Sequence, residues 1–330
     1  MKLERIFVCK QGGIGDVVLL TPLLASLKKK YPHIKISLMT FPNAVDAVKG
    51  LPFIDEIFSY DKKNDNIWKY IYKIWKYDAA LLFDLQYRPA ILAFLAGIPI
   101  RIGIQHKRGL WLTHSVPWEL SMDHRYEPYV FADMLGKKLG IELPQTELDT
   151  LYFAKPTQAD EQVVATLFAE HGLTGNQPYV TCSPITAFHL KDWPPDYWRQ
   201  LFQKVYDQYK LPVVIFGSAE NGHLWNFPGA INVCGKTTLL QAASIIQHAT
   251  LLINSCSLPI HIAAAFGTPC VALYGYSDYK RWAPKKNCVV VSANLPCSPC
   301  DGYVGSRCQD AQCMQQITVD DVFVACSKFL

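Results

Sequence analysis

The stretch Asn254 to Tyr274 reads NSCSLPIHIAAAFGTPCVALY and predicts a short helix between two parallel strands. The apolar residues 251–253 just before it are typical of a buried strand. Pro259 suits the first turn of a helix, and Gly267 is typical of a residue that ends one. The apolar run 269–274 predicts the next strand, so the stretch forms one strand–helix–strand unit of a parallel sheet.

The start of this helix is a candidate phosphate site, with Ser255 or Ser257 as its N-cap. A helix N-terminus presents free N–H groups and a positive dipole, which favour an anion. In open α/β sheets, ligands bind at the carboxyl edge of the strands, where this helix begins. The alternative is an ordinary strand–helix–strand unit without a ligand, and the pattern is compatible with both.

Length and composition indicate a well-buried protein of two domains. The chain has 330 residues, of which 50% are hydrophobic and 18% charged. The net charge of +4 favours an anionic ligand or an acidic membrane surface, and no basic stretch indicates nucleic acid. No segment has a secretory pattern or the roughly 18 apolar residues of a membrane span. We therefore expect a cytoplasmic protein, in which the eleven cysteines do not form a disulfide scaffold.

Strands alternate with helices in both halves of the chain, which predicts parallel sheets. Predicted strands lie at 5–10, 34–41, 54–60, 79–85, 179–183, 213–216, 251–253 and 269–274. Prolines and mixed polar residues interrupt the periodicity between Leu143 and Thr157, which indicates a boundary between domains 1–153 and 154–330. Two such halves imply a cleft between them.

The first predicted strand leads into a glycine-rich turn, Gln11-Gly12-Gly13-Ile14-Gly15-Asp16, at the start of a helix. The spacing matches neither the dinucleotide-binding GxGxxG pattern nor a phosphate loop that ends in Gly-Lys-Ser/Thr. The helix dipole favours a carboxylate at Asp16, so a helix cap is one interpretation and a catalytic group the other. Asp84-Leu85-Gln86 ends another strand, where polar residues are candidates for substrate contact.

The segment 64–77, NDNIWKYIYKIWKY, has isoleucines at helical spacing and predicts a helix packed on the sheet. Its outer face is basic through Lys62, Lys63, Lys69, Lys73 and Lys76. A second interpretation of this segment is contact with an anionic acceptor or with the inner face of the cytoplasmic membrane.

Several short motifs occur in one order along nearly the whole chain. They are Gly15-Asp16-Val17-Val18-Leu19, Asp84-Leu85-Gln86, Lys191-Asp192-Trp193-Pro194, Gly217 with Glu220, Cys234-Gly235-Lys236-Thr237-Thr238-Leu239 and His261-Ile262-Ala263-Ala264-Ala265. In this order and spacing the chain resembles glycosyltransferase family 9, which includes the ADP-heptose:lipopolysaccharide heptosyltransferases. The resemblance implies a GT-B fold, with two Rossmann-like domains whose parallel sheets face a cleft. It also implies that the N-terminal domain binds the acceptor and the C-terminal domain the nucleotide-sugar.

The reaction implied by the resemblance is an inverting transfer that needs no metal cofactor. Asp16 matches the family base, which removes the proton from the acceptor hydroxyl. Lys191 matches the lysine that stabilises the leaving diphosphate, and its alternative is a solvated loop residue. The implied ligands are an ADP-sugar, with heptose or a related sugar, and a lipopolysaccharide core or other glycan. The implied donor-binding residues are Thr186, Glu220, Cys256, Ser257, Leu258 and His261, and the implied acceptor-binding residues are Gly13, Gly15, Gln86 and Arg88.

One motif departs from the family pattern. Where the family has Asp-Ser/Thr-Gly before the helix histidine, this chain has Cys256-Ser257-Leu258. Cysteine is a poor acceptor for sugar hydroxyls, and leucine adds bulk and lacks the φ freedom of glycine. Two hypotheses follow: an active transferase with altered donor preference, or a non-catalytic sugar-nucleotide-binding relative. Asp16 and Lys191 favour the enzyme, because a binding protein needs no base. His261 either contacts the donor or is a packed histidine.

The tail contains four cysteines spaced C-x2-C-x7-C-x4-C, at Cys297, Cys300, Cys308 and Cys313. This spacing is typical of a tetrahedral thiolate site for zinc or iron, which would be structural. The alternatives are reduced cysteines in a loop and disulfides formed after lysis.

Overall fold

The computed structural model describes residues 3–117, 119, 124–175, 177–300, 308 and 310–330. The chain divides into two compact units, the first ending at Ala154 and the second beginning at Lys155. Each unit contains one six-stranded sheet whose neighbouring strands are parallel. The predicted α/β class with parallel sheets is confirmed.

The first unit alternates strands with helices along the chain. Its strands are β1 (Arg5–Cys9), β2 (Lys35–Thr40), β3 (Glu56–Ser59), β4 (Ala79–Leu82), β5 (Ile100–Ile104) and β6 (His114–Val116). Its α-helices are α1 (Ile14–Lys30), α2 (Pro42–Val48), α3 (Tyr87–Leu95), α4 (Glu127–Leu139) and α5 (Gln145–Leu148), and 3₁₀ helices span Ile67–Tyr70 and Gly109–Trp111.

The second unit repeats this alternation. Its strands are β7 (Val180–Cys182), β8 (Val213–Ile215), β9 (Ala230–Asn232), β10 (Leu251–Ser255), β11 (Cys270–Leu273) and β12 (Cys288–Val291). Its α-helices are α6 (Gln158–Ala169), α7 (Pro195–Tyr209), α8 (Leu239–His248), α9 (Leu258–Phe266), α10 (Tyr279–Trp282), α11 (Gln312–Gln315) and α12 (Val319–Cys326), and 3₁₀ helices span His189–Lys191 and Ala219–Trp225.

Both sheets have the same strand order, in which the chain reverses direction across the sheet once. The orders are β3-β2-β1-β4-β5-β6 and β12-β11-β10-β7-β8-β9. The reversal lies between β1 and β4 in the first sheet and between β7 and β10 in the second. In open α/β sheets, a ligand crevice forms outside the carboxyl ends of the strands at such a reversal.

The segment 64–77 differs from the predicted helix. Only Ile67–Tyr70 is helical, as a 3₁₀ turn, and turns follow to residue 76. Isoleucine and aromatic residues have low helix propensity, and the Asn66 side chain accepts a hydrogen bond from Trp68 N at 3.0 Å, which starts a tight turn. Ile67 and Ile74 remain buried, so the predicted packing on the sheet is confirmed although the helix is not.

Buried tryptophans hold the start of α7 to the end of the chain. Trp193 and Trp198 are fully buried, with ring centroids 4.9 Å apart in an edge arrangement. The Trp193 indole N–H donates to the carbonyl of Ile317 at 2.9 Å. The indole N–H of Trp198 has no hydrogen-bond partner among the described residues. The two side chains are therefore a matched pair that differs in one hydrogen bond.

We predict that Trp193→Phe lowers the free energy of unfolding more than Trp198→Phe, by about 1–3 kcal/mol, because only the first leaves a buried carbonyl without its donor. Urea unfolding followed by far-UV circular dichroism measures the difference without depending on tryptophan fluorescence. Equal losses of unfolding free energy for the two variants would show that the hydrogen bond from Trp193 to Ile317 makes no net contribution to stability.

Candidate active site

The first candidate cluster lies at the reversal between β1 and β4. These strands pair with Cys9 opposite Leu82, so the residues that follow each strand emerge side by side. The backbone N–H of Gln11 donates to the Asp84 carboxylate, which joins the two loops directly. The glycine-rich turn and the Asp84-Leu85-Gln86 segment, predicted separately from the sequence, therefore form one surface.

Asp16 occupies the first turn of α1 and is half-buried. Its carboxylate accepts a hydrogen bond from Gly13 N at 2.7 Å, so it caps its own helix. A side chain at Gly12 would collide with this carboxylate, which explains the need for glycine there. The cap fixes the carboxylate at the mouth of the turn, so capping and proton transfer are compatible roles for one residue.

Asp84 is a buried carboxylate with a structural role beside Asp16. Its side chain is only 10% exposed, and the ammonium of Lys10 lies 3.8 Å from it. Burial raises the pKa of the Asp84 carboxyl above its usual range, which Lys10 and the Gln11 N–H oppose and the charge of Asp16 reinforces. Gln11 N donates to Asp84 and Gly13 N donates to Asp16, so the two carboxylates hold the same short turn.

Arg108 is buried at the same end of the sheet and stabilises its backbone through hydrogen bonds. Its guanidinium donates to three backbone carbonyls, those of Ile104 at 2.9 Å, Gln86 at 3.0 Å and Leu82 at 3.2 Å. Burial lowers the pKa of Arg108 to about 10, and the charge of Asp84 opposes this change. The Arg108 side chain is 1% exposed and satisfies backbone carbonyls at the strand ends.

The predicted acceptor-binding residues lie around this cluster. Gly13 is the N-cap of α1, and Gly15 lies in the first turn of the same helix. Gln86 is the N-cap residue of α3, and its carbonyl is held by Arg108. The guanidinium of Arg88 donates to the hydroxyl of Tyr60 at 3.3 Å.

Gln11 is a further candidate that the sequence motifs did not indicate. It is 3% exposed, and neither polar atom of its side-chain amide has a hydrogen-bond partner among the described residues. Buried amides almost always have partners in protein or ordered water. An orphaned amide next to the glycine turn is therefore a candidate contact for a ligand hydroxyl.

The second candidate cluster lies at the reversal between β7 and β10. Lys191 ends the 3₁₀ helix that follows β7, and Cys256 directly follows β10. Burial raises the pKa of the Cys256 thiol, and the largest opposing influence is the positive charge of Lys191. Lys191 and Cys256 therefore follow the two strands that flank the reversal of the second sheet.

The turn between β10 and α9 has Ser257 as its N-cap, in extended conformation. The Ser257 hydroxyl makes no cap hydrogen bond; it donates to the Ser255 carbonyl at 3.2 Å. Leu258 is the first helical residue and is half-buried, so this position needs no left-handed φ. The expectation that Leu258 lacks a backbone conformation needed here is wrong, because any L-residue adopts helical φ. The bulk of the leucine side chain still distinguishes this position from glycine.

Asn254 is the residue that shapes this turn, and the sequence did not assign it a role. It is fully buried, and its side-chain oxygen accepts from Ser183 N at 2.7 Å. Its side-chain nitrogen donates to the Ser255 carbonyl and to the Ser257 hydroxyl, both at 2.9 Å. One amide thus ties the end of β7 to the start of α9.

The other predicted donor-binding residues have different surroundings. Thr186 N donates to the Asp192 carboxylate at 2.7 Å, which shapes the loop that carries Lys191. His261 is 5% exposed within α9. Glu220 is exposed in the 3₁₀ helix after β8, so its carboxylate is accessible to a ligand.

The described residues do not support the predicted metal site at the tail cysteines. Cys297, Cys300, Cys308 and Cys313 are free thiols, and the described residues contain no group of three or more His, Cys, Asp or Glu placed to hold a metal ion. Burial raises the pKa of Cys313 to about 11, and the three other tail thiols add to this rise. Cys313 packs instead against Gly275, where a β-carbon would meet its sulfur at 2.7 Å.

No helix within the described part of the chain is long and apolar enough to cross a membrane.

Comparison with known proteins identifies similar sequences over most of the chain. The family model "Glycosyltransferase family 9 (heptosyltransferase)" matches residues 71–308. Lipopolysaccharide heptosyltransferase 3 of Escherichia coli is 25% identical over 295 residues, which cover 83% of this chain and 84% of that protein. The lipopolysaccharide core heptosyltransferase OpsX of Haemophilus influenzae is 24% identical, with 86% and 82% covered.

Solved structures share the fold at lower identity. A family 9 glycosyl transferase from Veillonella parvula superposes with a TM-score of 0.84 at 22% identity, covering 100% of this chain and 98% of that one. E. coli ADP-heptose heptosyltransferase II gives 0.77 at 22% identity, covering 98% of each chain. E. coli heptosyltransferase WaaC, solved with ADP-2-deoxy-2-fluoro heptose, gives 0.69 at 15% identity, covering 98% and 99%. These likenesses confirm the predicted GT-B fold.

Proposed function

The chain belongs to glycosyltransferase family 9, and we propose that it transfers heptose or a related sugar from an ADP-sugar to a lipopolysaccharide core or similar glycan. The observation that carries the proposal is the position of Asp16 and Lys191, each beside the strand reversal of one Rossmann-like sheet. Such reversals are where ligands bind in open α/β sheets. The acceptor then belongs to the first unit and the nucleotide-sugar to the second.

Asp16 is the proposed general base. It removes the proton from the acceptor hydroxyl as that oxygen attacks the anomeric carbon of the sugar, and the nucleoside diphosphate leaves with the bonding electrons. The hydrogen bond from Gly13 N at 2.7 Å holds the Asp16 carboxylate at the start of α1, which fixes the position of the proposed base. The orphaned amide of Gln11 and the side chains of Gln86 and Arg88 supply polar contacts for acceptor hydroxyls.

Lys191 is proposed to stabilise the leaving diphosphate together with the N-terminus of α9. Negative charge on the diphosphate grows as the glycosidic bond breaks, so a fixed ammonium stabilises the transition state more than the ground state. The backbone N–H of Leu258, at the start of α9, is available to the same anion, whereas Pro259 has no N–H and Ile260 N donates to the Ser257 carbonyl at 3.3 Å. In the proposed mechanism, the positive charge that stabilises the diphosphate comes from residues of this chain.

The turn Cys256-Ser257-Leu258 is proposed to alter the choice of donor sugar. A carboxylate at this position rejects sugars that cannot hydrogen-bond to it, because it would be left buried and unpaired. Cys256 is 7% exposed and its thiol is neutral, so it cannot enforce that selection. Glu220, which lies after β8 and outside this turn, is proposed to hydrogen-bond the nucleoside, so an ADP-sugar remains the proposed donor.

We predict that Asp16→Asn lowers the turnover number by at least about a thousandfold, or roughly 4 kcal/mol of barrier, while ADP-sugar binding is retained. The asparagine oxygen still accepts from Gly13, so the fold is preserved. Asp160→Asn is the matched control, because Asp160 accepts from Thr157 N at 2.9 Å in the equivalent cap of α6. Turnover within about tenfold of wild type would mean that Asp16 is only a cap.

We predict that Lys191→Ala lowers the turnover number at least about a hundredfold, or about 2.7 kcal/mol, through lost stabilisation of the diphosphate. Lys328→Ala, which removes an exposed lysine near the end of the same unit, serves as the control for charge. Steady-state kinetics at varied ADP-sugar concentration separates an effect on the turnover number from an effect on the Michaelis constant. A raised Michaelis constant with an unchanged turnover number would contradict the proposed role, because ground and transition states would then be bound alike.

We predict that the native protein accepts several ADP-sugars with similar efficiency, and that Cys256→Asp with Leu258→Gly narrows this choice toward ADP-heptose. The measurement is transfer and hydrolysis with ADP-heptose, other ADP-sugars, and UDP- and GDP-sugars, for both proteins. If the native protein uses only ADP-heptose and the double substitution does not change this, the residues at 256 and 258 have no effect on the choice of donor. Binding without turnover for every sugar would identify a non-catalytic binding protein.

A further inference from the structure

One face of the first unit exposes large aromatic side chains among lysines. We call it the aromatic–basic face, and it comprises Trp68, Tyr72, Trp75, Phe94, Leu95 and Leu110 together with Lys62, Lys63, Lys69, Lys73, Lys76 and Lys107. Exposed apolar residues that occur singly are common, but a contiguous set rimmed by polar groups marks an interaction site.

The exposure of this face does not follow from the packing of the core. In the segment 62–76 the sheet-facing positions are occupied by Ile67, Tyr70 and Ile74, which are almost fully buried. The positions on the other side could be polar without loss to the core, yet they hold Trp68, Tyr72 and Trp75, which are 41%, 85% and 47% exposed. Their apolar area is available to a partner.

The separate segments form one continuous surface. The backbone N–H of Lys76 donates to the carbonyl of Ala96 at 3.0 Å, which joins the end of the turn segment to the end of α3. Phe94 on α3 contacts Trp111 edge-on, with ring centroids 5.1 Å apart. Leu110, which precedes Trp111, is 93% exposed. The aromatic–basic face therefore runs from residue 62 to the 3₁₀ turn Gly109–Trp111.

The charge of this face is positive. Five lysines and two aspartates lie between residues 61 and 76, which gives a net charge of +3. Asp65 is paired with Lys69 at 2.6 Å, and Asp61 accepts from Lys63 N at 2.8 Å. The described residues offer no acidic partner within salt-bridge distance of the remaining lysines of this segment, Lys62, Lys63, Lys73 and Lys76.

We propose that the aromatic–basic face docks on a bilayer surface that contains anionic phospholipids. Tryptophan and tyrosine rings favour the headgroup level of a membrane, where one edge is apolar and the other is wet. Lysines near such a surface are attracted to anionic lipids. The combination of shallow aromatic insertion with a lysine rim fits a lipid surface that is both apolar and negatively charged.

A second copy of this chain is a poorer occupant of the face. In a twofold dimer the same patch meets itself, so the lysines of one copy would lie against the lysines of the other. Like charges brought together at an interface repel each other and oppose association. An anionic bilayer has the complementary charge. The purpose of this docking rests on the proposed function, because a lipopolysaccharide acceptor carries a lipid, but the binding itself is a separate physical property.

Flotation of the full chain with vesicles tests the inference. The probes are vesicles of phosphatidylcholine alone and of phosphatidylcholine with about one third phosphatidylglycerol. We expect binding to the anionic vesicles that weakens with added salt, and at least about tenfold weaker partitioning for Trp68→Ser/Tyr72→Ser/Trp75→Ser and for Lys62→Gln/Lys63→Gln/Lys73→Gln. The matched control is Val163→Ser/Val324→Ser, which removes exposed apolar side chains from the second unit, 45% and 62% exposed, and which we expect to bind like wild type.

Three outcomes would overturn the inference: no binding of wild type to anionic vesicles, equal binding of the triple variants, or an equal loss in the control. Sedimentation velocity shows whether the face instead joins two copies, since a dimer lost in the triple variants would assign it to self-association. Transfer to a soluble, lipid-free acceptor separates the inference from the proposed function. Variants that lose vesicle binding but keep this activity support both, whereas vesicle binding without any transfer refutes only the proposed function.

Discussion

Each sheet reverses its strand order once, and the peptide groups at that point must find partners other than a neighbouring strand. In the first unit the partners are the side chains of Asp84 and Arg108, which hold Gln11 N and three carbonyls. In the second unit the partner is the amide of Asn254. The geometry of both candidate clusters depends on these buried polar groups.

The same groups explain why the reversal points suit ligands. Because Asp84, Arg108 and Asn254 satisfy the strand ends, the residues that follow are free to present N–H groups and charged side chains outward. Asp16 and Lys191 occupy these outward positions, one in each unit. At each reversal, buried residues therefore satisfy the strand ends, while a different residue presents its polar side chain outward. Loss of Asp84, Arg108 or Asn254 would displace the turn that the residue holds. The reactive groups on that turn would then lose their position.

The tail cysteines show how packing changes the meaning of a sequence motif. Their spacing is typical of a metal site, but Cys313 packs against Gly275, and the described residues contain no group of three or more His, Cys, Asp or Glu placed to hold a metal ion. Cys297, Cys300 and Cys308 lie close to Cys313 in the sequence. Proximity alone does not make a ligand set, because ligands must also converge on one point.

The sequence alone determined the features that arise from local chemistry. Alternating apolar runs predicted the parallel sheets, Gly267 ended α9 as expected, and the ordered motifs indicated the family that the comparisons confirm. Local signals suffice here because caps, glycine turns and buried strands depend on a few neighbouring residues. The strands β5, β6, β9 and β12 were not predicted.

Only the tertiary structure decided the strand order, the bracing roles of Arg108 and Asn254, and the orphaned amide of Gln11. It also replaced the predicted helix at 64–77 with a tight turn that still buries its isoleucines and leaves its aromatic side chains exposed. The physical reason is the same in each case. The partners of these groups lie far away in the sequence, and whether a polar side chain is buried, satisfied or exposed depends on the strand that packs beside it.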